Sequence, residues 1–259
     1  MQEIRGSMYD YPVYYELAYG TDWRAEFDFL ESCFERYTGR TVRRLFEPAC
    51  GTGRLIWQFS RVGYEVAGLD LNRKAVAYCN ERFERAGLAA PAIVGDMSDF
   101  RLPRKYDAAF NTISSVRHLP SEQAARGHLQ CMADCLAKGG LYMLGLHLTP
   151  RRPCYGDEEQ WSSRRGNLGV LVRLVSRDID LKGRNELVDA TFDIYTPRRQ
   201  FRIVEEMNFR TYTWPQMQRL LASEPRFEVV ATHDFHYDID DPIDIDEDSE
   251  DVVFVLRRR

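Results

Sequence analysis

The sequence predicts an α/β fold, in which a Rossmann-like sheet of seven mostly parallel strands carries helices on both faces. Three observations predict it. Apolar, strand-like runs alternate with segments of helical periodicity from about residue 40 to residue 148. A glycine turn, Gly51-Thr52-Gly53, joins the first of these strands to a helix, and two more strand-like runs close the chain. Such alternation requires right-handed crossovers and a parallel sheet covered on both faces.

Length and composition describe an ordinary globular chain. Its 259 residues suffice for one large domain, or for one domain with a sizeable insertion. Hydrophobic residues make up 44% of the chain, and its formal net charge of -5 offers none of the basic surface that nucleic-acid binding normally needs. No apolar window approaches the ~18 residues of a membrane span. We therefore expect a small-molecule partner, with no nucleic acid and no membrane.

The cysteines and the first residues indicate a cytoplasmic protein. The segment "MQEIRGSMYDYP" lacks the apolar core of a signal peptide. The six cysteines are scattered without C-x-x-C spacing, which disfavours both a disulfide framework and a zinc site. We expect reduced cysteines, no bound metal and a cytoplasmic location.

The elements of the core follow one another with short connections. Residues 22–37 have apolar side chains at helical spacing, with Thr21 or Asp22 as the expected cap. A helix over 121–140 is expected to begin at Ser121 and to end at a glycine. The other predicted elements are strand 42–47, helix 54–63, strand 64–71, helix 73–87, and strands 91–97, 106–113 and 141–148.

The pattern changes after the fifth strand. Residues 168–181, 186–196 and 199–213 alternate apolar and polar side chains, which predicts an antiparallel β insertion. A helix over 213–224 and strands over 226–235 and 251–259 then complete the core, with the acidic stretch 238–251 as a loop. The predicted divisions are an N-terminal helical lid (1–40), a cofactor-binding core (41–150), the insertion (151–213) and the C-terminal completion (214–259). We expect the insertion to cap an acceptor pocket or to form a homodimer surface.

The glycine turn is the first candidate binding site. A dinucleotide-binding turn needs a third glycine where this chain has Ile56, and a triphosphate-binding loop needs a Gly-Lys-Ser/Thr ending that is absent here. Glu47, just before the glycines, would repel a pyrophosphate. Asp70 ends the next strand, where an acidic side chain meets both hydroxyls of a ribose. A nucleoside with a positively charged, phosphate-free tail fits both acids, although both are also ordinary strand-end residues.

Four segments taken together resemble class I S-adenosylmethionine-dependent methyltransferases: "FEPACGTGRL", "GLDLN", "VGDM" and "LAKGGLYML". The resemblance covers about residues 40–148 and resumes at 214–258. The N-terminal "MYDYPVYYELAYGTDWR" is similar to the lid of bacterial small-molecule members. The resemblance implies that Glu47 to Gly53 wrap the methionine part of the cofactor, with Ala49, Gly51 and Thr52 in the turn.

The same resemblance implies roles for the next strand ends. Asp70 would hold the ribose hydroxyls and Leu71 would lie against the adenine. Asp96 would accept from the adenine amino group, Met97 would pack on the ring, and Asn111 would face the methionine end. The fourth strand ends in "FNTISS", which departs from the Asn/Asp-Pro-Pro-aromatic sequence of enzymes that methylate DNA amines. Modification of DNA adenine is therefore disfavoured.

The lid and two histidines supply the candidate catalytic residues. Half of the N-terminal aromatic residues are expected only to pack on the core, whereas Tyr14, Tyr19 and Trp23 are expected near the cofactor and the acceptor. Arg24 is a candidate partner for the cofactor carboxylate. The other candidates are His118 and His147, each expected at the ligand edge of the sheet as a general base or an ordinary hydrogen-bonded histidine.

Three further residues are read as incidental. Cys154 follows a proline but lies after the wrong strand for a methyltransferase nucleophile. His233 and His236 would point to opposite faces of a strand, which disfavours a metal site.

The expected function is transfer of a methyl group from S-adenosyl-L-methionine to nitrogen or oxygen of a small molecule. A methyl acceptor needs alignment and exclusion of water more than it needs a nucleophilic side chain. Two alternatives stay open at this point: a nicotinamide-dependent oxidoreductase, and an S-adenosylmethionine-binding protein without catalytic activity.

Overall fold

The structure is a computed structural model that describes residues 1–154 and 156–259. Its helices are α1 (Pro12–Tyr19), α2 (Arg24–Tyr37), α3 (Arg54–Arg61), α4 (Arg73–Arg85), α5 (Glu122–Cys135) and α6 (Trp214–Ala222), with 3-10 turns at Met8–Asp10 and Ser115–His118. Its strands are β1 (Gln2–Arg5), β2 (Arg44–Pro48), β3 (Glu65–Asp70), β4 (Ala92–Val94), β5 (Tyr106–Asn111), β6 (Leu136–His147), β7 (Glu158–Arg165), β8 (Leu168–Asp180), β9 (Asn185–Tyr195), β10 (Gln200–Arg210), β11 (Phe227–His233) and β12 (Asp251–Arg258).

Seven strands form the main sheet in the order β11-β12-β6-β5-β2-β3-β4. The strands from β2 to β6 pair in parallel, whereas β12 is antiparallel to both of its neighbours. Two apolar clusters cover the two faces, one centred on Phe46 and Tyr142 and the other on Phe59 and Phe110. The predicted fold class is confirmed. The carboxyl ends of β2, β3 and β5 therefore meet at one edge, where such sheets bind ligands.

Two expected helix ends are wrong. The helix predicted over 121–140 ends at Cys135, and β6 begins at Leu136. Gly140, expected at the end of the helix, lies inside this strand, and a Cβ there would come within 2.8 Å of the Asp107 carbonyl oxygen. Helix α2 begins after Trp23, and neither Thr21 nor Asp22 caps it with a side chain in the described chain.

A second sheet, of order β1-β10-β9-β8-β7, contains the predicted insertion. Strands β8, β9 and β10 pair antiparallel as predicted. Strands β1 and β7 were not predicted, and they form the two edges. Strand β1 comes from the N-terminus and runs parallel to β10, with Gln2 opposite Phe201.

Residues 8–19, part of the segment predicted to form a lid, lie between the second sheet and the glycine turn of the main sheet. Met8, Leu17 and Ala18 pack in a third cluster with inward-facing residues of the second sheet, among them Phe192 and Ile203. Nowhere in the described chain does a helix reach the length and hydropathy that a membrane crossing requires.

Candidate active site

The backbone of the turn after β2 has positive φ angles, which residues other than glycine rarely adopt. Ala49, Gly51 and Gly53 have positive φ angles of 55°, 53° and 77°. At Gly53 a Cβ would also lie 2.5 Å from the Sγ of Cys79, so only glycine fits there. Thr52, between the glycines, is buried. The turn thus presents bare backbone at the end of β2.

Two buried acceptor atoms lie at the ends of neighbouring strands, at the edge of the sheet that carries this turn. Glu47 is 9% exposed and Asn111 is 3% exposed, and their strands β2 and β5 are neighbours. The Asn111 amide donates to the Pro48 carbonyl oxygen at 2.8 Å. Within the described chain, Glu47 Oε2 and Asn111 Oδ1 have no hydrogen-bond partner. Burial raises the pKa of the Glu47 carboxyl well above its usual range. Each atom therefore lacks a donor, and a cationic donor would suit the Glu47 carboxyl best.

The end of β3 provides a carboxylate and an exposed apolar surface. Asp70 accepts from the Gly51 backbone N–H at 2.7 Å and from the Asn72 N–H at 2.8 Å. Each carboxylate oxygen still has acceptor capacity. Burial raises the pKa of Asp70, and these two backbone bonds oppose the rise. Leu71, the next residue, is 74% exposed. The Asp70 carboxylate can accept hydrogen bonds from the hydroxyl groups of a ligand. The Leu71 side chain offers an apolar surface to a flat ring.

The loop after β4 is fixed from inside the protein. Asp96 is exposed, and its Oδ1 accepts from the Ser98 N–H at 2.7 Å. Met97 is buried in the core cluster, and its carbonyl oxygen accepts from Nδ1 of His128 at 2.9 Å. His128 in turn contacts the Tyr142 hydroxyl at 2.7 Å. The sequence did not indicate that a buried histidine positions this loop.

The lid presents tyrosines over the glycine turn, but not all of those expected. The Tyr15 ring lies 3.7 Å from the Cβ position of Gly51, and Tyr9 and Tyr19 pack on Tyr15 at 5.3 and 4.7 Å between ring centroids. Tyr14, a predicted catalytic residue, instead packs against Phe201 at 5.6 Å. Adjacent residues of a helix point about 100° apart, so Tyr14 and Tyr15 face different parts of the protein.

Trp23 and Arg24 both contact residues of α2. Trp23 packs on Phe27 at 5.6 Å, and the Arg24 side chain is 76% exposed and pairs with Asp28. The buried arginine near the turn is Arg54, which pairs with Glu26. Burial disfavours its charge, but Glu26 outweighs that effect and raises the Arg54 pKa. The sequence could have indicated Arg54 as a site residue, because it directly follows Gly53 of the turn.

A cavity of about 540 Å³ opens beside the lid. Tyr9, Tyr15 and Tyr19 form one part of its wall, and the second sheet forms another. Both predicted histidines, His118 and His147, line it as well. The structure thus brings the lid tyrosines and the two histidines together around one space.

His118 forms a pair with a lid residue. Its Nε2 lies 3.0 Å from the Tyr9 hydroxyl, and its ring packs against Phe209 at 4.7 Å. The His118 ring is exposed to the cavity. Desolvation by the surrounding protein, followed by the charge of nearby Arg117, lowers the pKa of His118 to about 4. The imidazole is therefore neutral near neutral pH. Burial, followed by the neighbouring Tyr15, raises the pKa of Tyr9, so its hydroxyl keeps its proton.

His147 is oriented by a carboxylate. His147 on β6 lies opposite Asp251 on β12, and its Nδ1 atom is 2.5 Å from Oδ1 of Asp251. Phe235 packs on the imidazole at 5.0 Å. This contact fixes the ring, and its Nε2 is left available. The sequence did not single out Asp251.

The residues expected to be incidental lie apart or play structural roles. His233 is buried and contacts the Tyr37 hydroxyl at 3.1 Å, whereas His236 is exposed and contacts Asp234. Cys154 is an unpaired cysteine on the cavity wall.

Comparisons with known proteins agree with this architecture. A family described as a methyltransferase domain matches residues 46–140. The chain is 30% identical over 138 residues to the dTDP-3-amino-3,4,6-trideoxy-alpha-D-glucopyranose N,N-dimethyltransferase of Streptomyces venezuelae, covering 52% of this chain and 56% of that protein. The chain spans about half the length, or less, of the curated relatives it matches.

Solved structures match over nearly the whole chain. DesVI of Streptomyces venezuelae has a TM-score of 0.76 at 20% identity, covering 94% of this chain and 95% of that one. CalS10 of Micromonospora echinaspora, an amino pentose methyltransferase solved with bound S-adenosylmethionine, has a TM-score of 0.74 at 20% identity, covering 95% and 96%. At this identity the likeness establishes the fold.

Proposed function

We propose that this chain, which has the fold of S-adenosylmethionine-dependent methyltransferases and contains a methyltransferase domain at residues 46–140, transfers a methyl group from S-adenosylmethionine to an amine of a small molecule. The observation that carries the proposal is that two buried acceptor atoms at this edge of the sheet, Glu47 Oε2 and Asn111 Oδ1, have no hydrogen-bond partner among the described residues. An ammonium group offers three donors and a positive charge. The methionine part of S-adenosylmethionine has such a group and no phosphate.

The other residues of the edge fit the remaining parts of that molecule. The bare backbone of Gly51 and Gly53 leaves room for the methionine chain beside the turn. Asp70 has acceptor capacity for ribose hydroxyls, and the exposed Leu71 offers an apolar surface for the adenine. When bound, S-adenosylmethionine supplies an electrophilic methyl group on a sulfonium centre.

The chain's own groups prepare the acceptor. Tyr9, Tyr15 and Tyr19 close the space over the turn and exclude water from it. The neutral His118 accepts a hydrogen bond and so positions the amine, but its low pKa makes it a weak base. His147 Nε2 is free to accept a hydrogen bond from the acceptor, because Asp251 holds the opposite nitrogen.

The second sheet supports a role as a cap. Its inner face lines the cavity through residues such as Trp161 and Val188. Its outer face carries cross-strand ion pairs, such as Arg202 with Asp193. A face so rich in satisfied charges is typical of solvated surface, so we assign the insertion at 151–213 to the acceptor pocket rather than to a dimer surface. We propose the other divisions unchanged: an N-terminal lid at 1–40, a cofactor-binding core at 41–150, and a C-terminal segment at 214–259 that completes the core.

A nicotinamide-dependent reaction has less support. A dinucleotide brings two phosphates to the turn, where the buried Glu47 carboxylate would oppose them. The related chains named above are methyltransferases.

Two measurements test the proposal. Calorimetry with S-adenosylhomocysteine should detect binding, and mass spectrometry should detect methyl transfer when S-adenosylmethionine is supplied with a panel of small amines. Absence of binding at millimolar ligand would contradict the cofactor assignment. Binding without transfer to any amine would instead favour a non-catalytic cofactor-binding protein.

A further inference from the structure

The wall of the cavity is strongly acidic. Among the residues that the structure describes, one arginine lines it, Arg117, and no lysine does. The carboxylates that line it are Asp157, Glu159, Glu186, Glu250 and Asp251. An excess of one charge sign in a confined space selects ligands of the opposite sign.

The charge of Arg117 is already used by the protein. Its side chain is 8% exposed and pairs with Glu186 through Nη2. Its Nε donates to the Arg210 carbonyl oxygen at 3.2 Å, and its guanidinium lies over the Phe209 ring at 5.1 Å from the centroid. Arg117 is therefore part of the wall's internal network and is not an available anion ligand.

Three of the carboxylates face the cavity without a cation beside them. In the part of the chain that the structure describes, no arginine or lysine pairs with Asp157, Glu159 or Glu250. Two carboxylates near them in the chain but outside the wall are paired: Glu158 with Arg173 at 2.5 Å and Glu247 with Arg151 at 3.3 Å. Asp157, Glu159 and Glu250 are thus available to a cationic ligand in the cavity.

Aromatic rings provide a second, independent feature of the same wall. Aromatic faces attract organic cations, and several rings around one space are typical of sites for alkylated ammonium groups. Tyr19 and Trp161 lie edge to face at 5.3 Å, on the same side as Glu159. The rings on the wall are Tyr9, Tyr15, Tyr19, Trp161, Phe209 and Phe235.

We infer that the methyl acceptor is a small polyamine-type molecule, with at least one ammonium group besides the nitrogen that is methylated, and that it is not a nucleoside diphosphate. This inference rests on the proposed function and specifies its substrate class. The free carboxylates Asp157, Glu159 and Glu250 bind the additional ammonium groups, and the rings pack against the alkyl carbons. The diphosphate of a dTDP-linked sugar, such as the one in the name of the Streptomyces venezuelae relative, would meet these carboxylates without a free cation.

The test compares two probes of opposite charge on the same protein. The full chain is first saturated with S-adenosylhomocysteine, and spermidine or thymidine diphosphate is then titrated in by calorimetry. Spermidine is expected to bind, and its affinity is expected to fall as salt is raised. The variant Glu159→Gln should weaken spermidine about threefold, and the combination of Asp157→Asn, Glu159→Gln and Glu250→Gln should weaken it on the order of tenfold.

Glu158→Gln is the matched control. It removes a carboxylate next to Glu159 on the same strand, but one that points to the opposite face and pairs with Arg173. It should leave spermidine affinity unchanged. Three results would overturn the inference: no spermidine binding at millimolar concentration, displacement of spermidine by thymidine diphosphate at lower concentration, or unchanged affinity in the triple variant. Failure of S-adenosylhomocysteine to bind would instead count against the proposed function itself.

Discussion

Replacing Glu47 by glutamine is expected to move two measured quantities in opposite directions. The change keeps the size of the side chain and removes its charge. The ligand-free protein should become more stable, because Glu47 is buried and its Oε2 has no partner among the described residues. The affinity for S-adenosylhomocysteine should fall, because the proposed ammonium contact loses its carboxylate.

The magnitude on stability follows from the cost of an unsatisfied buried group. Leaving such a group unpaired costs about 1–3 kcal/mol, and a neutral amide in its place recovers only part of this. We expect the free energy of unfolding of the ligand-free protein to rise by about 1 kcal/mol near neutral pH. In a chain of this size that corresponds to an increase in Tm of about 2–4 °C.

The pH dependence of thermal unfolding tests the sign of this stability change. The pKa of Glu47 is raised above its usual 4.5 in the folded state, so the folded protein binds the proton more tightly than the unfolded chain does. Protonation then contributes stability that is fully present below pH 4.5 and is lost as pH rises through the folded-state pKa. Wild type and Glu47→Gln should therefore unfold at similar temperatures in acid and diverge as pH rises. Thermal unfolding followed by circular dichroism across this range measures the difference.

The affinity should change more than the stability does. A hydrogen bond to a charged group contributes about 1.5–3 kcal/mol, so the dissociation constant for S-adenosylhomocysteine should rise by at least about tenfold. Glu65→Gln is the control, because Glu65 is exposed at the start of β3 and pairs with Arg104. Unchanged affinity in Glu47→Gln, or a lower Tm of its ligand-free form near neutral pH, would refute the reasoning.

Three further predictions concern the same edge of the sheet. Asp70→Ala should weaken S-adenosylhomocysteine by about tenfold or more in calorimetry, and an unchanged affinity would remove the ribose assignment. His118→Asn should lower kcat by about tenfold, the loss of one positioning hydrogen bond, while leaving S-adenosylhomocysteine affinity unchanged. Since the pKa of His118 is about 4, the wild-type rate should show no loss from this group between pH 8 and about pH 5. Gly53→Ala should lower the free energy of unfolding by about 2 kcal/mol in urea denaturation, because the added Cβ meets Cys79 Sγ and the φ angle is positive.

Strong local patterns were enough to predict the main sheet. The runs that became β2, β3 and β5 are apolar, and the intervening helices have a continuous apolar face, so their elements follow from burial alone. The glycine turn is equally local, since a positive φ at Gly51 and Gly53 restricts the residue type. The fold class and the position of the candidate ligand edge are therefore properties of the sequence.

The two missed strands, β1 and β7, form the edges of the second sheet. Strand β1 has the sequence QEIR, with little apolar character, and exists because β10 offers it an open edge some 200 residues later. Strand β7 is mostly exposed and pairs only with β8. Edge strands bury few side chains, so periodicity gives little indication of them.

The sequence by itself determined which residue types gather at this site, and the tertiary structure decided which of them face it. The aromatic segment was evident, but the docking of α1 turns Tyr15 toward Gly51 and Tyr14 toward Phe201. Likewise the buried arginine is Arg54 rather than Arg24. The physical reason is that composition and spacing fix a side chain's chemistry, whereas its direction and its charge partners are set by elements that meet only when the chain is folded.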